Sequence, residues 1–283
     1  MRRLSPAVGR QCIALLSAML LSACVAPTTD TPTISKAEWQ REVELQEAAA
    51  KKAPINFDEK KEYNDAAVAH LAGRLKPIAT RVSKAAGAMC HALDDNDAAR
   101  NCTFEVLLDA KKTGLNAHAD GQNVVIYPAM IDFTHNDSQL AFVIAHEFAH
   151  NIMAHVDSQR QNVTVGAVLG ALADAAAGAA GANTGGAFSK AGSQTAMLRY
   201  SSSFEAEADY VGLYILARAG YAIEQAPDFW RMMSQAQPKA IYISQTHPNN
   251  PSRTIAMTKT VAEIRAKQRA RKPLIPNIRP KDA

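Results

Sequence analysis

Between Leu140 and Ala154 the chain is apolar almost without interruption: Leu140, Phe142, Val143, Ile144, Phe148 and Ile152 leave almost no polar face. Beginning near Asn136 or Ser138, where Asp and Ser can cap it, this run predicts a buried helix. Other stretches carry different signals. Glu38–Lys52 and Lys60–Ala88 read as helices, broken by Pro54 and bent at Pro77. Thr103–Leu108 and Val124–Tyr127 read as strands, the second following the turn-like Asp120-Gly121. Ser203–Ala219 is a helix stopped by Gly220, Val261–Arg271 is a last helix, and Pro273, Pro276 and Pro280 mark an irregular tail. The pattern predicts an α+β chain, mainly helical, with a small β-sheet beside the apolar helix. No repeat of fixed period is visible, which argues against an appended helical-repeat domain.

Val163–Gly192 has another texture: Ala and Gly dominate, and Asp174 and Lys190 are its only charges. One reading is a pair of small-residue helices that pack closely or cover a site. The other is a mobile linker, since each Gly lowers helix stability by about 1 kcal/mol. A partly ordered lid is the preferred expectation. Asp174 near the middle argues against a membrane span.

Three ionisable groups interrupt the apolar helix, as His146-Glu147-Phe148-Ala149-His150. Burying them is costly unless something compensates. Residues at i and i+4 share a helix face, so both imidazoles can meet one ion, with Glu147 one position round. That is the spacing of a zinc site with a carboxylate poised to take a proton from water. Two surface histidines on a polar helix would be the alternative, and the apolar run leaves no such face.

A catalytic zinc takes three protein ligands. The metzincin extension would place a glycine and a histidine soon after His150, but Met153 stands at the glycine position and His155 comes one residue early. His155 is therefore expected on a helix surface. Glu205, in Glu205-Ala-Glu-Ala-Asp209, fits better: Glu205 and Asp209 share a helix face while Glu207 points away. Glu205 then ligates zinc, and Asp209 accepts the free N–H of a ligating histidine. Gly212 lets this helix approach the first. The competing reading is an ordinary acidic helix start.

The N-terminus reads as an export signal. Arg2, Arg3 and Arg10 precede the apolar Cys12–Leu21, too short to span a membrane, which runs into Leu21-Ser22-Ala23-Cys24. The last four residues resemble the lipobox of bacterial lipoproteins, implying cleavage before Cys24 and lipid attachment there. Each buried acyl methylene would add about 0.8 kcal/mol of anchoring. Val25 in place of an aspartate favours the outer membrane. In an oxidising periplasm, the remaining cysteines Cys90 and Cys102 are expected to form a disulfide around the polar Asp94-Asp95-Asn96-Asp97, contributing roughly 3 kcal/mol. The expected divisions are a signal over 1–23, a tether and helix over 24–59, a catalytic domain over 60–264 and a tail over 265–283. Residues 25–35, rich in Thr and Pro, read as the lipid tether. Removing the three signal arginines takes the formal charge from +4 to +1, which offers no electrostatic argument for nucleic-acid binding.

These residues together resemble the gluzincin metallopeptidases that include HtpX-like heat-shock proteases and the CAAX prenyl endopeptidases. The likeness rests on His146–His150, on Glu205–Asp209, on Thr246-His247-Pro248 with Arg253, and on Asn116-Ala117 with Gly121 and Val124–Tyr127. It covers roughly Lys60–Ile264 and points to a soluble, periplasmic lipoprotein branch associated with outer-membrane protein quality control. The resemblance implies a gluzincin-type core holding one Zn²⁺ and a zinc endopeptidase acting on unfolded or misassembled envelope proteins, with Glu147 as the proton acceptor. It also implies that His247 lies near the metal, either stabilising the oxyanion or occupying the open position, against a plain turn histidine. Arg253 is expected either to pair with a carboxylate near the site or to lie on the surface. The Val124–Tyr127 strand is expected to receive substrate as an added extended strand. Two other functions stay open: a latent or inactive zinc lipoprotein acting as a chaperone or binding module, and a structural lipoprotein using zinc only to fold.

Overall fold

The computed structural model describes residues 26–52, 55, 58, 60–93, 101–236 and 251–279, with the backbone alone for 196–201. Cys24, Asp94–Asp97 and the Thr246-His247-Pro248 segment lie outside the described residues. In chain order the elements are α1 (Lys36–Lys52), α2 (Asp65–Leu93), β1 (Val106–Leu108), β2 (Ala117–Ala119) and β3 (Val124–Ile126). They continue with α3 (Pro128–Phe133), α4 (Asp137–Ile152), α5 (His155–Ala179), α6 (Ala187–Arg218), α7 (Gln225–Ala236) and α8 (Pro251–Arg269).

Two compact units are distinguished, one comprising Thr28–His155 with Phe204–Ala283, the other built from Val156–Ser203. In the first, α4 is the central element, with every residue from Gln139 to Ile152 buried. Asn136 caps it by accepting the Gln139 N–H. Against α4 lies α2, whose buried residues Leu71, Leu75, Ile78, Val82, Ala86 and Met89 recur at three- and four-residue steps. Pro77 sits within α2, which remains one helix from Asp65 to Leu93. A disulfide joins Cys90 at the end of α2 to Cys102 ahead of β1.

The sheet has the order β1-β3-β2, with β1 parallel and β2 antiparallel to the central β3. The Val124 strand is therefore paired on both sides and cannot accept a third partner. That corrects the expectation that it receives substrate. Among the described residues, the edge strand beside α4 is β2.

The N-terminal segment also departs from expectation. Thr29 is fully buried and pairs with Ile278 in an antiparallel bridge, with Asp30 N–H donating to Asn277 O and Arg279 N–H to Thr28 O. Docked residues therefore occupy the middle of the stretch read as a tether.

In the second unit, α5 and the start of α6 run back along each other. A β-carbon on Gly170 would lie 2.1 Å from the Phe188 carbonyl oxygen, and one on Gly192 would lie 2.2 Å from that of Gly166. The glycines therefore permit backbone-to-backbone contact. By length and composition α5 is the one helix among the described residues apolar enough to cross a membrane. Asp174, the second of its two acids, accepts the N–H groups of Phe188 and Ser189, at 3.2 and 2.9 Å, and so caps α6.

Candidate metal centre

Two helices build the centre. From α4 come His146, Glu147 and His150; from the second half of α6 come Glu205, Glu207 and Asp209. Gly212 allows the two backbones to meet, because a β-carbon there would lie 3.1 Å from the His146 backbone N and Cα. The approach brings the Nε2 atoms of His146 and His150 within 3.2 Å of each other. Each is 3.3 Å from an oxygen of Glu205.

Those three separations test the site for zinc. A tetrahedral ion with donor bonds of about 2.0–2.1 Å places any two donors roughly 3.3 Å apart. The triangle formed by His146, His150 and Glu205 therefore has the edge length such an ion requires, and its two neutral nitrogens and one carboxylate form a donor set that zinc accepts. The fit is good.

A polar shell fixes the ligands. Asp209 lies 3.0 Å from His146 Nδ1, on the side opposite the ligating nitrogen. It also accepts from the Trp230 indole at 3.2 Å and from the Arg253 guanidinium at 2.7 and 2.8 Å. The remaining Arg253 nitrogen is 2.9 Å from Glu205, and its plane lies 3.7 Å above the centre of the Trp230 ring. Arg253 is only 2% exposed, so of its two expected placements the structure has the carboxylate pairing. Burial opposes the charge on Asp209, but Arg253 and then His146 hold its carboxyl below the ordinary value near 3.8. Burial lowers His150 to about 4. On His146 the same burial is outweighed by Asp209 and Glu205, which raise it to about 9.

Glu147 sits with His146 in the wall of a pocket lined by Asn116, Ala117, Phe142, Val143, Trp230 and Met233. The pocket therefore opens between β2 and α7, beside His146 and Glu147. Asn116 accepts from Tyr127 N–H and Asn123 from Asp120 N–H. Along an antiparallel strand such pairs alternate, so the N–H and C=O groups of Ala117 and Ala119 point away from β3.

His155 is not the surface residue expected. It is 3% exposed, and its Nδ1 lies 3.0 Å from His150 Nδ1. Its Nε2 lies 2.9 Å from Glu207. Glu207 does point away from the ligand triangle, yet it too is buried. The junction explains the miss: α4 stops at Ile152, and Ala154 adopts φ of 52°, the left-handed region, which folds His155 back towards the ring one turn earlier. A helix continued through these residues would have carried His155 elsewhere. The ring also stacks on Phe204, with centroids 4.6 Å apart.

A sequence profile of Peptidase family M48 matches residues 78–261. The chain belongs to this family. As an M48 member it has a mainly helical gluzincin core with a three-stranded sheet. It is 34% identical over 148 residues to the beta-barrel assembly-enhancing protease of Escherichia coli (strain K12), covering 47% of this chain and 29% of the relative. The protein of the same name from Yersinia pestis is 30% identical over 149 residues, covering 47% and 29%. Mitochondrial metalloendopeptidase OMA1 of Saccharomyces cerevisiae is 27% identical over 148 residues, covering 49% of this chain and 41% of the relative. The chain thus spans under a third of the length of the bacterial relatives it matches.

Proposed function

We propose that this M48 member is a zinc-dependent metalloendopeptidase that hydrolyses peptide bonds of unfolded or misassembled envelope proteins. The observation that carries the reading is the triangle of His146, His150 and Glu205, with edges of 3.2–3.3 Å, beside the pocket carboxylate Glu147. One Zn²⁺ per chain, when bound there, supplies a Lewis acid for the peptide carbonyl. Glu147 takes the proton of the attacking water and delivers it to the leaving amine. Asp209 accepts the His146 Nδ1–H and so presents Nε2 to the ion, while Arg253 holds the buried Asp209 carboxyl below its ordinary value and pairs with Glu205. Phe142, Val143 and Trp230 exclude water from the pocket wall.

The edge of β2 that faces away from β3 offers the Ala117 and Ala119 backbone groups to an extended substrate, so recognition would rest on main-chain bonds. Unfolded polypeptides expose such backbone. Support for envelope substrates comes from the bacterial relatives, which are named beta-barrel assembly-enhancing proteases. The basic start, short apolar segment and Cys24 support a periplasmic location with a lipid anchor in the outer membrane. His247 is proposed to serve the same centre, either stabilising the oxyanion or covering the open coordination position.

The test combines metal analysis with casein cleavage before and after chelation. Glu147→Gln is expected to retain one zinc per chain while cleavage falls by about 10²–10⁴. Parent-like cleavage by that variant, or no loss on chelation, refutes the assignment.

A further inference from the structure

We infer that His155 and Glu207 position the metal ligand His150, and that the N-terminal segment Thr28–Thr29 holds Glu207 in place for this task. The inference rests on the zinc reading above. It follows from tracking protons outward from the centre. His150 turns Nε2 towards His146 and Glu205, so its proton sits on Nδ1 when Nε2 ligates. That N–H faces His155 Nδ1 at 3.0 Å, which must accept and therefore carries no proton. The His155 proton is then on Nε2 and donates to Glu207 Oε2 at 2.9 Å. Each link has one donor and one acceptor.

The other Glu207 oxygen accepts the Thr28 and Thr29 N–H groups, at 2.7 and 2.6 Å. This oxygen is thereby occupied, leaving Oε2 aimed at His155. The Thr28–Asp30 segment is itself held by its bridge to Asn277–Arg279, through Thr28 O and Asp30 N–H. Its bonds to the C-terminal segment and its bonds to Glu207 use different backbone groups. The two ligating histidines therefore have separate supports: Asp209 within α6 for His146, and a relay ending on the N-terminal segment for His150. Docking of that segment then sets how firmly the second imidazole is presented to the ion.

The test measures zinc dissociation constants by competition with a chromophoric chelator, on the full chain and three variants. His155→Phe keeps an aromatic ring against Phe204 but ends the relay. Glu207→Gln places an amide where one oxygen must accept from His155 and the other from Thr28 and Thr29, so the amide N–H₂ faces a donor on one side. Thr28→Pro/Thr29→Pro removes both N–H groups while leaving Thr28 O and Asp30 N–H for the bridge. The first two are expected to weaken zinc binding by about 10–100-fold, and the double proline variant several-fold. The ¹⁵N spectrum of histidine-labelled, zinc-loaded protein supplies a readout that mere filling of space would not move. In the zinc-loaded parent His155 carries its proton on Nε2, and in Glu207→Gln the resonance of that N–H shifts as its carboxylate acceptor is lost. Zinc affinities within threefold of the parent, or a His155 proton on Nδ1 in the zinc-loaded parent, overturn the inference. Should Glu207→Gln not fold, the double proline variant decides by the same affinity criterion. A parent that binds no zinc overturns the metal reading itself, whereas a parent that binds beside unaffected variants overturns the relay alone.

Discussion

Replacing Arg253 by Met removes the guanidinium while keeping a long apolar side chain over Trp230. Arg253 makes three short contacts, at 2.7 and 2.8 Å to Asp209 and 2.9 Å to Glu205, and all three side chains are almost wholly excluded from water. Without it, two buried carboxylates face each other with no fixed cation. Breaking a buried pair from one side costs about 3–5 kcal/mol, against a typical total stability of about 5–15 kcal/mol. For a chain of this size that corresponds to a fall in Tm of roughly 6–20 °C. Zinc changes the sum, because the ion would itself neutralise Glu205, so the deficit should shrink in metal-loaded protein. Acid should narrow it too. Asp209 has a folded pKa below its ordinary 3.8, so its stabilising effect in the parent is present above that value and lost as pH falls through the folded pKa. In Arg253→Met the carboxyl rises and protonates earlier, relieving the buried charge. Urea unfolding of parent and variant, with chelator and with zinc, at pH 7 and below pH 4, measures all three effects. A chelated variant within about 1 kcal/mol of the parent at pH 7 refutes the electrostatic reasoning.

Further outcomes follow from other contacts. Gly212→Val puts side-chain atoms into the His146 backbone, so zinc affinity and stability should both fall, the latter by about 1–3 kcal/mol, as read by metal competition and urea unfolding. Ala119→Pro removes an N–H that points away from β3, so KM for casein should rise while urea unfolding changes little. Replacing Cys90 and Cys102 together by Ala opens a bridge between residues 12 apart and should cost roughly 3 kcal/mol in the same unfolding measurement. His247→Ala should slow cleavage if His247 stabilises the oxyanion and speed it if His247 covers the open position; an unchanged rate places it outside the site.

The metal triangle was legible because its information is local. Four-residue spacing on an apolar helix puts His146 and His150 together, and the same spacing puts Glu205 and Asp209 on one face. Gly212 could be read for the same reason. His155 was hidden by a single residue, since the left-handed Ala154 reverses the chain where helical periodicity would continue it. Strand order is not a local property either: the β-branched composition of Val124–Ile126 marks a strand, but its central place depends on pairing with β1 and β2. Thr28–Asp30 carries the composition of a linker, and it docks because Glu207 and the Asn277–Arg279 backbone supply partners far away in sequence. Pro251, a residue that ends helices from within, instead opens α8 well before Val261, since the first turn needs no N–H from it.

The stack of His155 on Phe204 closes the gap in sequence left by Val156–Ser203, for the chain departs and returns at rings 4.6 Å apart. Such a doorway predicts that the intervening stretch behaves as a cassette, exchangeable in length and texture without displacing His155 or Phe204. A chain in which a short glycine-serine loop replaces that cassette should still fold around zinc, and comparing its substrates with those of the parent would reveal what the cassette is for.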